Sequence, residues 1–155
     1  MLRLFAFATF ASLASADPDL FISEVAEGSS NNKYIEIYNP TGLDVSLDSY
    51  ALQKAVNGGT SGFETLTFSS GATIASGGVY VVCNPNADGY ILDYCEEQFD
   101  TISHNGNDAY CLFLVTSTVD CFGDSEANPG SAWSVAGDSA ATKDHTLVRK
   151  SWVTQ

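Results

Sequence analysis

Positive charge is scarce in this 155-residue chain. Six Lys and Arg face nineteen Asp and Glu, giving a formal net charge of −13. Nucleic-acid binding needs clustered cations to displace counterions from phosphates, so such acidity excludes a general DNA- or RNA-binding role. It also argues against docking on an anionic membrane surface. Long apolar runs are missing after the first sixteen residues, so the remainder offers no span of the roughly 20 residues that a bilayer requires. No CxxC, G-x-S-x-G, H-E-x-x-H, P-loop or dinucleotide fingerprint occurs, which removes the common signatures of zinc sites, serine hydrolases, zinc proteases and nucleotide enzymes. Asn39-Pro40-Thr41 imitates a glycosylation sequon, but the central proline disqualifies it, and no valid sequon is present.

Residues 1–16, MLRLFAFATFASLASA, have one cation (Arg3), an apolar stretch from Leu4 to Leu13 and a small-x-small end at Ala14-Ser15-Ala16. This is the pattern of a secretory signal peptide cleaved before Asp17; the competing reading is an N-terminal core strand or helix. Removing its one cation takes the formal charge from −13 to −14. A single domain over 17–155 is expected, long enough to bury a core. Four cysteines, Cys83, Cys95, Cys111 and Cys121, lie in that part. An even count in a secreted chain implies two disulfides. Of the three pairings, spacing favours 83–95 with 111–121, because Cys111 and Cys121 flank an apparent hairpin; each bridge contributes about 2–3 kcal/mol.

Leu20 to Pro40, LFISEVAEGSSNNKYIEIYNP, organises the rest. Leu20-Phe21-Ile22 is strand-forming, Gly28 to Asn32 has turn composition, and Tyr34 to Tyr38 alternates, with Ile35 and Ile37 on one face and Tyr34, Glu36 and Tyr38 on the other. Two aromatics beside a carboxylate suggest a partly covered face, and Glu36 is a candidate buried charge whose expected partner is Arg149. Short strands follow: around Val45 to Leu52, Phe63 to Phe68 with Leu66 and Phe68 inward, Ala109 to Val115, Val119 to Phe122, Ala132 to Val135 and His145 to Lys150. Val79 to Cys83 reads as a central strand buried on both faces. Asp88 to Gln98 has room for one or two helical turns. Turn signals every eight to twelve residues, with little helix, predict an all-β sandwich.

Asn84 to Gly89 resembles the start of an EF-hand loop, but Cys95 stands where the bidentate glutamate belongs. Clusters at Asn105, Asn107 and Asp108, and at Asp120, Asp124 and Glu126, have oxygens suited to a loosely held calcium. Asn, Asp and Gly are equally what turns demand, and the turn reading is preferred, with no cofactor assigned. His104 and His145 read as loop and strand-start residues rather than general bases.

Several blocks in order resemble the lamin tail domain, in the form found in secreted microbial and algal proteins. I-S-E (Glu24) and Y-I-E-I-Y-N-P (Glu36, Asn39) open the match, and V-S-L-D-S-Y-A-L continues it. N-G-N-D-A (Gly106, Asp108), V-D-C-F-G (Gly123), P-G-S-A-W (Trp133) and T-L-V-R-K (Arg149) complete it. The resemblance implies a disulfide-stabilised immunoglobulin-like β-sandwich that binds rather than catalyses. It implies a secreted module for protein or polysaccharide partners at a cell surface or matrix. The alternative it implies is an accessory domain of an extracellular nuclease or other hydrolase whose catalytic part lies beyond Gln155. The family's usual further strand after T-L-V-R-K is not evident in Ser151 to Gln155, and a longer gene product is the favoured explanation.

The mass of the native secreted protein tests the leader and the thiol state together. Asp17 to Gln155 less four hydrogens is expected, with four alkyl groups taken up only after reduction; uptake without reduction overturns the disulfide assignment.

Overall fold

The computed structural model describes residues 19–151, so residues 1–18, with the expected leader among them, and the segment 152–155 lie outside the described residues. It is an all-β sandwich. Its strands are β1 (Phe21–Glu27), β2 (Lys33–Tyr38), β3 (Val45–Ser46), β4 (Tyr50–Ala55), β5 (Phe63–Thr67), β6 (Thr73–Ile74), β7 (Val79–Cys83), β8 (Glu97–Gln98), β9 (Ala109–Leu114), β10 (Ser117–Phe122) and β11 (Thr146–Val148), with one helical turn, α1 (Gly89–Leu92), between β7 and β8. One sheet runs β11-β1-β2-β7-β8 and the other β10-β9-β4-β5, while β3 and β6 form a small ribbon. All named pairings are antiparallel except β7 with β8.

Period-two patterning builds the core. Ile35 and Ile37 on β2, Tyr80 and Val82 on β7, and Ile22 and Val25 on β1 point inward and meet Leu52, Leu66, Tyr110 and Leu112 from the facing sheet. Leu66 and Phe68 are the buried members of their segment and Phe63 is exposed, as the alternation predicted. At roughly 1.5–3 kcal/mol for each fully buried large apolar side chain, this cluster is the main source of stability.

Asn39, directly after β2, is fully buried. Its amide donates to the carbonyls of Leu43 and Ile74 at 2.7 and 2.9 Å. Its carbonyl oxygen accepts the Thr41 N–H and hydroxyl at 3.0 and 2.8 Å. Its backbone exchanges hydrogen bonds with the Gly77–Gly78 turn that leads into β7. One side chain therefore supplies partners to backbone groups of the β2 exit and the β6 turn that the sheets leave unpaired.

Both disulfides take the pairing that spacing favoured. Cys111 and Cys121 are directly opposite in the β9–β10 ladder, and Cys83 joins Cys95, fastening α1 to β7. The 131–143 segment is seated by two glycines with positive φ. A Cβ on Gly106 would come within 2.8 Å of Lys143, and one on Gly123 within 3.0 Å of Ala109 and the Trp133 indole.

Two strand expectations are corrected. Val79 to Cys83 is buried along its inner face, but its outer face runs from exposed Val79 through half-buried Val81 to fully buried Cys83, because α1 and Ile91 cover only the Cys83 end. Ala132 to Val135 is not a strand. It is irregular and ends in a tight turn bridged between Val135 and Asp138, because the Trp133 ring packs against Gly123 and the Trp133 backbone N–H donates to the Thr142 hydroxyl rather than to a sheet neighbour.

Asn39→Ala leaves the Leu43 and Ile74 carbonyls without partners and should lower unfolding free energy by about 2–4 kcal/mol in urea titrations at unchanged m-value.

Candidate functional site

Among the described residues three of the five cations, Lys33, Lys54 and Arg149, are held in buried or half-buried ion pairs. Lys33 on β2 bonds Glu27 on β1 at 2.5 Å, with both side chains more than nine-tenths buried. Glu27 also accepts the Asp144 backbone N–H. Burial pushes the Glu27 carboxyl upward, but Lys33 and that N–H together hold it below the usual carboxylate value. Lys54 on β4 lies within 3.6 Å of buried Asp108, which also accepts the Asn57 N–H at 2.8 Å. Its ammonium reaches the Ser103 hydroxyl at 3.1 Å as well.

Arg149 closes the seam between the two sheets. Its guanidinium bonds Asp120 of β10 at 2.6 Å and the Ile22 carbonyl at 3.0 Å, and it lies over the Phe21 ring at 5.1 Å. The same Asp120 oxygen accepts the Ile22 N–H at 2.9 Å. The expected pairing of Arg149 with Glu36 is thus corrected: Glu36 accepts the Ser23 hydroxyl at 2.7 Å instead. Val148 is the register partner of Glu24, which in turn faces Glu36. Val148 therefore shares their outer face, and Arg149, one residue on, turns to the other side.

That outer face holds the candidate site. Glu24, Glu36 and Val81 stand side by side across β1, β2 and β7. The Tyr34 hydroxyl donates to Glu24. Burial, and then Glu24, raise the Tyr34 phenol far above its ordinary range, so it stays a donor. Ile91 of α1 packs with Cys83, Ala87 and Tyr34. This leaves the neighbouring Tyr90 and Tyr94 rings 64% and 77% exposed as a wall beside the sheet. Glu96 accepts the Val81 N–H at 2.6 Å. The result is a groove of about 370 Å³ lined by three tyrosines, three glutamates and Val79, Val81 and Ile91. The partly covered aromatic-acidic face was legible from Tyr34 and Glu36. Tyr90 of α1, Tyr94 just after it and Glu24 opposite Glu36 were not, because they depend on sheet order and on the 83–95 bridge.

The polar loops are hydrogen-bonded turns, with the buried Asn107 Oδ1 left unpartnered. Asn84 bonds the Ile102 carbonyl and the Asn86 N–H, both at 2.9 Å, and Asp88 accepts the Asn32 amide at 2.7 Å. Asn107 donates to Asn57 and to the Gly130 carbonyl. Asp124 accepts the Glu126 N–H at 2.8 Å. Among the described residues no three His, Cys, Asp or Glu side chains group to hold a metal. His145 is exposed beside the Lys143 carbonyl. His104 is buried: its Nε2–H donates to the Ala26 carbonyl at 2.8 Å, and its Nδ1 faces the Tyr110 hydroxyl at 3.1 Å. Burial drives its pKa down to about 4, against the pull of the Ala26 carbonyl.

Two predictions follow from these networks. His104 is neutral in the fold and has a lower pKa than in the unfolded chain. Its contribution is complete above about pH 6.5 and is lost as pH falls toward 4, by about 3 kcal/mol. His104→Gln should flatten that part of the stability–pH curve. Arg149→Met strands the half-buried Asp120 carboxylate and should cost about 1–3 kcal/mol, with coupling to Asp120→Asn in a double-mutant cycle and none to Glu36→Gln.

The family model described as Lamin Tail Domain matches residues 14–125, which contain β1 to β10 and both disulfides. The P-G-S-A-W and T-L-V-R-K blocks lie beyond the matched stretch. No curated protein matches the chain. With most of its length covered by that match, and an immunoglobulin-like sandwich beneath it, the chain belongs to the lamin tail domain family.

Proposed function

We propose that this chain is a secreted, non-catalytic binding module that holds protein or polysaccharide partners through the groove between α1 and the outer face of β1, β2 and β7. The observation that carries the reading is the pair Tyr90 and Tyr94. Both rings are largely exposed, yet α1 is bridged to β7 through Cys83–Cys95 and anchored by Ile91. Large aromatic rings held rigidly beside a concave surface supply contact area at little entropic cost, as binding hot spots do. The leader-like residues 1–16 and the two disulfides support an oxidising, extracellular setting. The buried histidine is enclosed by Tyr110 and Ala26, and all four cysteines are bridged.

The protein should be retained by one or more of a set of insoluble polysaccharides and immobilised basic or acidic proteins. Tyr90→Ala with Tyr94→Ala should weaken that retention by about tenfold or more, corresponding to at least ~1.4 kcal/mol. Its melting temperature should stay unchanged, since neither ring is buried in the core. Undiminished retention overturns the assignment of the groove as the binding face.

A further inference from the structure

We infer that the groove's occupant is a lysine or arginine side chain presented by a basic segment of a partner protein. This rests on the binding-module reading and narrows it to one chemistry.

The groove has the parts that such a side chain needs. Val79, Val81 and Ile91 line it with aliphatic surface suited to a methylene stem. Tyr34, Tyr90 and Tyr94 also line it, and aromatic rings attract a cationic head. Glu24, Glu36 and Glu96 lie on its lining, and no Lys, Arg or His lies among them. Glu24 and Glu36 are direct register partners across β1 and β2. Like charges placed opposite each other on a sheet repel, and here hydroxyls donate to both members of the pair, Tyr34 to Glu24 and Ser23 to Glu36. A cation lodged between them replaces repulsion with two attractions.

Charge complementarity extends beyond the groove. Lys33, Lys54 and Arg149 are engaged with Glu27, Asp108 and Asp120, so much of the positive charge that could offset the acidic surface is held inside or at the seam. A chain of net charge −13 therefore attracts a basic partner from a distance and speeds its encounter. Other occupants fit less well. An anionic polysaccharide is repelled by three carboxylates. A neutral sugar leaves the Glu24–Glu36 repulsion in place, and the Tyr34 hydroxyl already donates to Glu24 rather than to a ligand. A bare calcium ion takes six to eight oxygens, and the described residues gather no such set.

The test is titration of the secreted protein with fluorescently labelled tetra-arginine and with chitohexaose, by anisotropy and calorimetry at low and moderate salt. Three variants are compared with the unaltered chain: Tyr90→Ala with Tyr94→Ala, Glu36→Gln, and Glu126→Gln. The last removes an equal charge on the loop after β10. Tetra-arginine affinity should fall about tenfold in the tyrosine variant and about threefold to tenfold in Glu36→Gln, while Glu126→Gln changes it less than about twofold. Equal losses in Glu36→Gln and Glu126→Gln, with no effect of the tyrosines, would reduce the interaction to diffuse acidity and overturn the inference. Chitohexaose binding that the tyrosine variant abolishes would also overturn it, while leaving the groove as the binding face. If no probe responds to the tyrosines, both the inference and the underlying reading fall.

Discussion

A shortage of cations shapes this molecule at every level. Nineteen acidic residues have six basic ones to balance them, and the fold places Lys33, Lys54 and Arg149 where desolvated carboxylates need them. Each of these pairs joins different parts of the chain. Lys33 and Glu27 flank the first hairpin, Lys54 links β4 to the Asp108 turn, and Arg149 ties the last strand to β10 and β1. Removing one partner of such a pair strands a charge in a poorly hydrated setting, so their structural importance exceeds any net stabilisation they provide. On the surface, carboxylates such as Glu24 and Glu36 are register partners across strands and accept hydroxyl donors from Tyr34 and Ser23.

The groove on that face depends on covalent and apolar support beneath it. α1 is a single turn, far too short to be stable alone. The Cys83–Cys95 bridge and the packing of Ile91 on Cys83 and Ala87 hold it in place. Tyr90 and Tyr94 are therefore fixed by chemistry that leaves their own rings free of the core. A larger, apolar cleft runs along the seam beside Trp133, Leu147 and Val148. Its guanidinium is engaged with Asp120, so it is best understood as the junction of the two sheets.

How far residues speak for themselves is clear from particular cases. Ile35 and Ile37 alternate with Tyr34, Glu36 and Tyr38, and that rhythm alone assigns β2 and its faces. The hairpin spacing places Cys111 opposite Cys121. Leu66 and Phe68 declare their inward face in the same way. Arg149 shows the limit. Its place directly after Leu147 and Val148 marks it as a paired cation, but the choice between Glu36 and Asp120 turns on whether it or Val148 shares the outer face, a register question that spans more than a hundred residues. Trp133 is similar: a residue suited to a strand that here fills the space above Gly123.

By itself, then, the sequence determined the all-β character, the inward and outward faces of the strongest strands, the two short-loop disulfides, the acidic surface and the lamin-tail pattern. These rest on local periodicity, turn chemistry and short spacings, which act between near neighbours in the chain. Only the tertiary structure decided which carboxylate Arg149 joins, that His104 is buried and neutral, and that Tyr90 and Tyr94 meet Glu24 and Glu36 in one groove. Those outcomes depend on strand order and register between distant segments, where shifting one residue exchanges the two faces of a sheet.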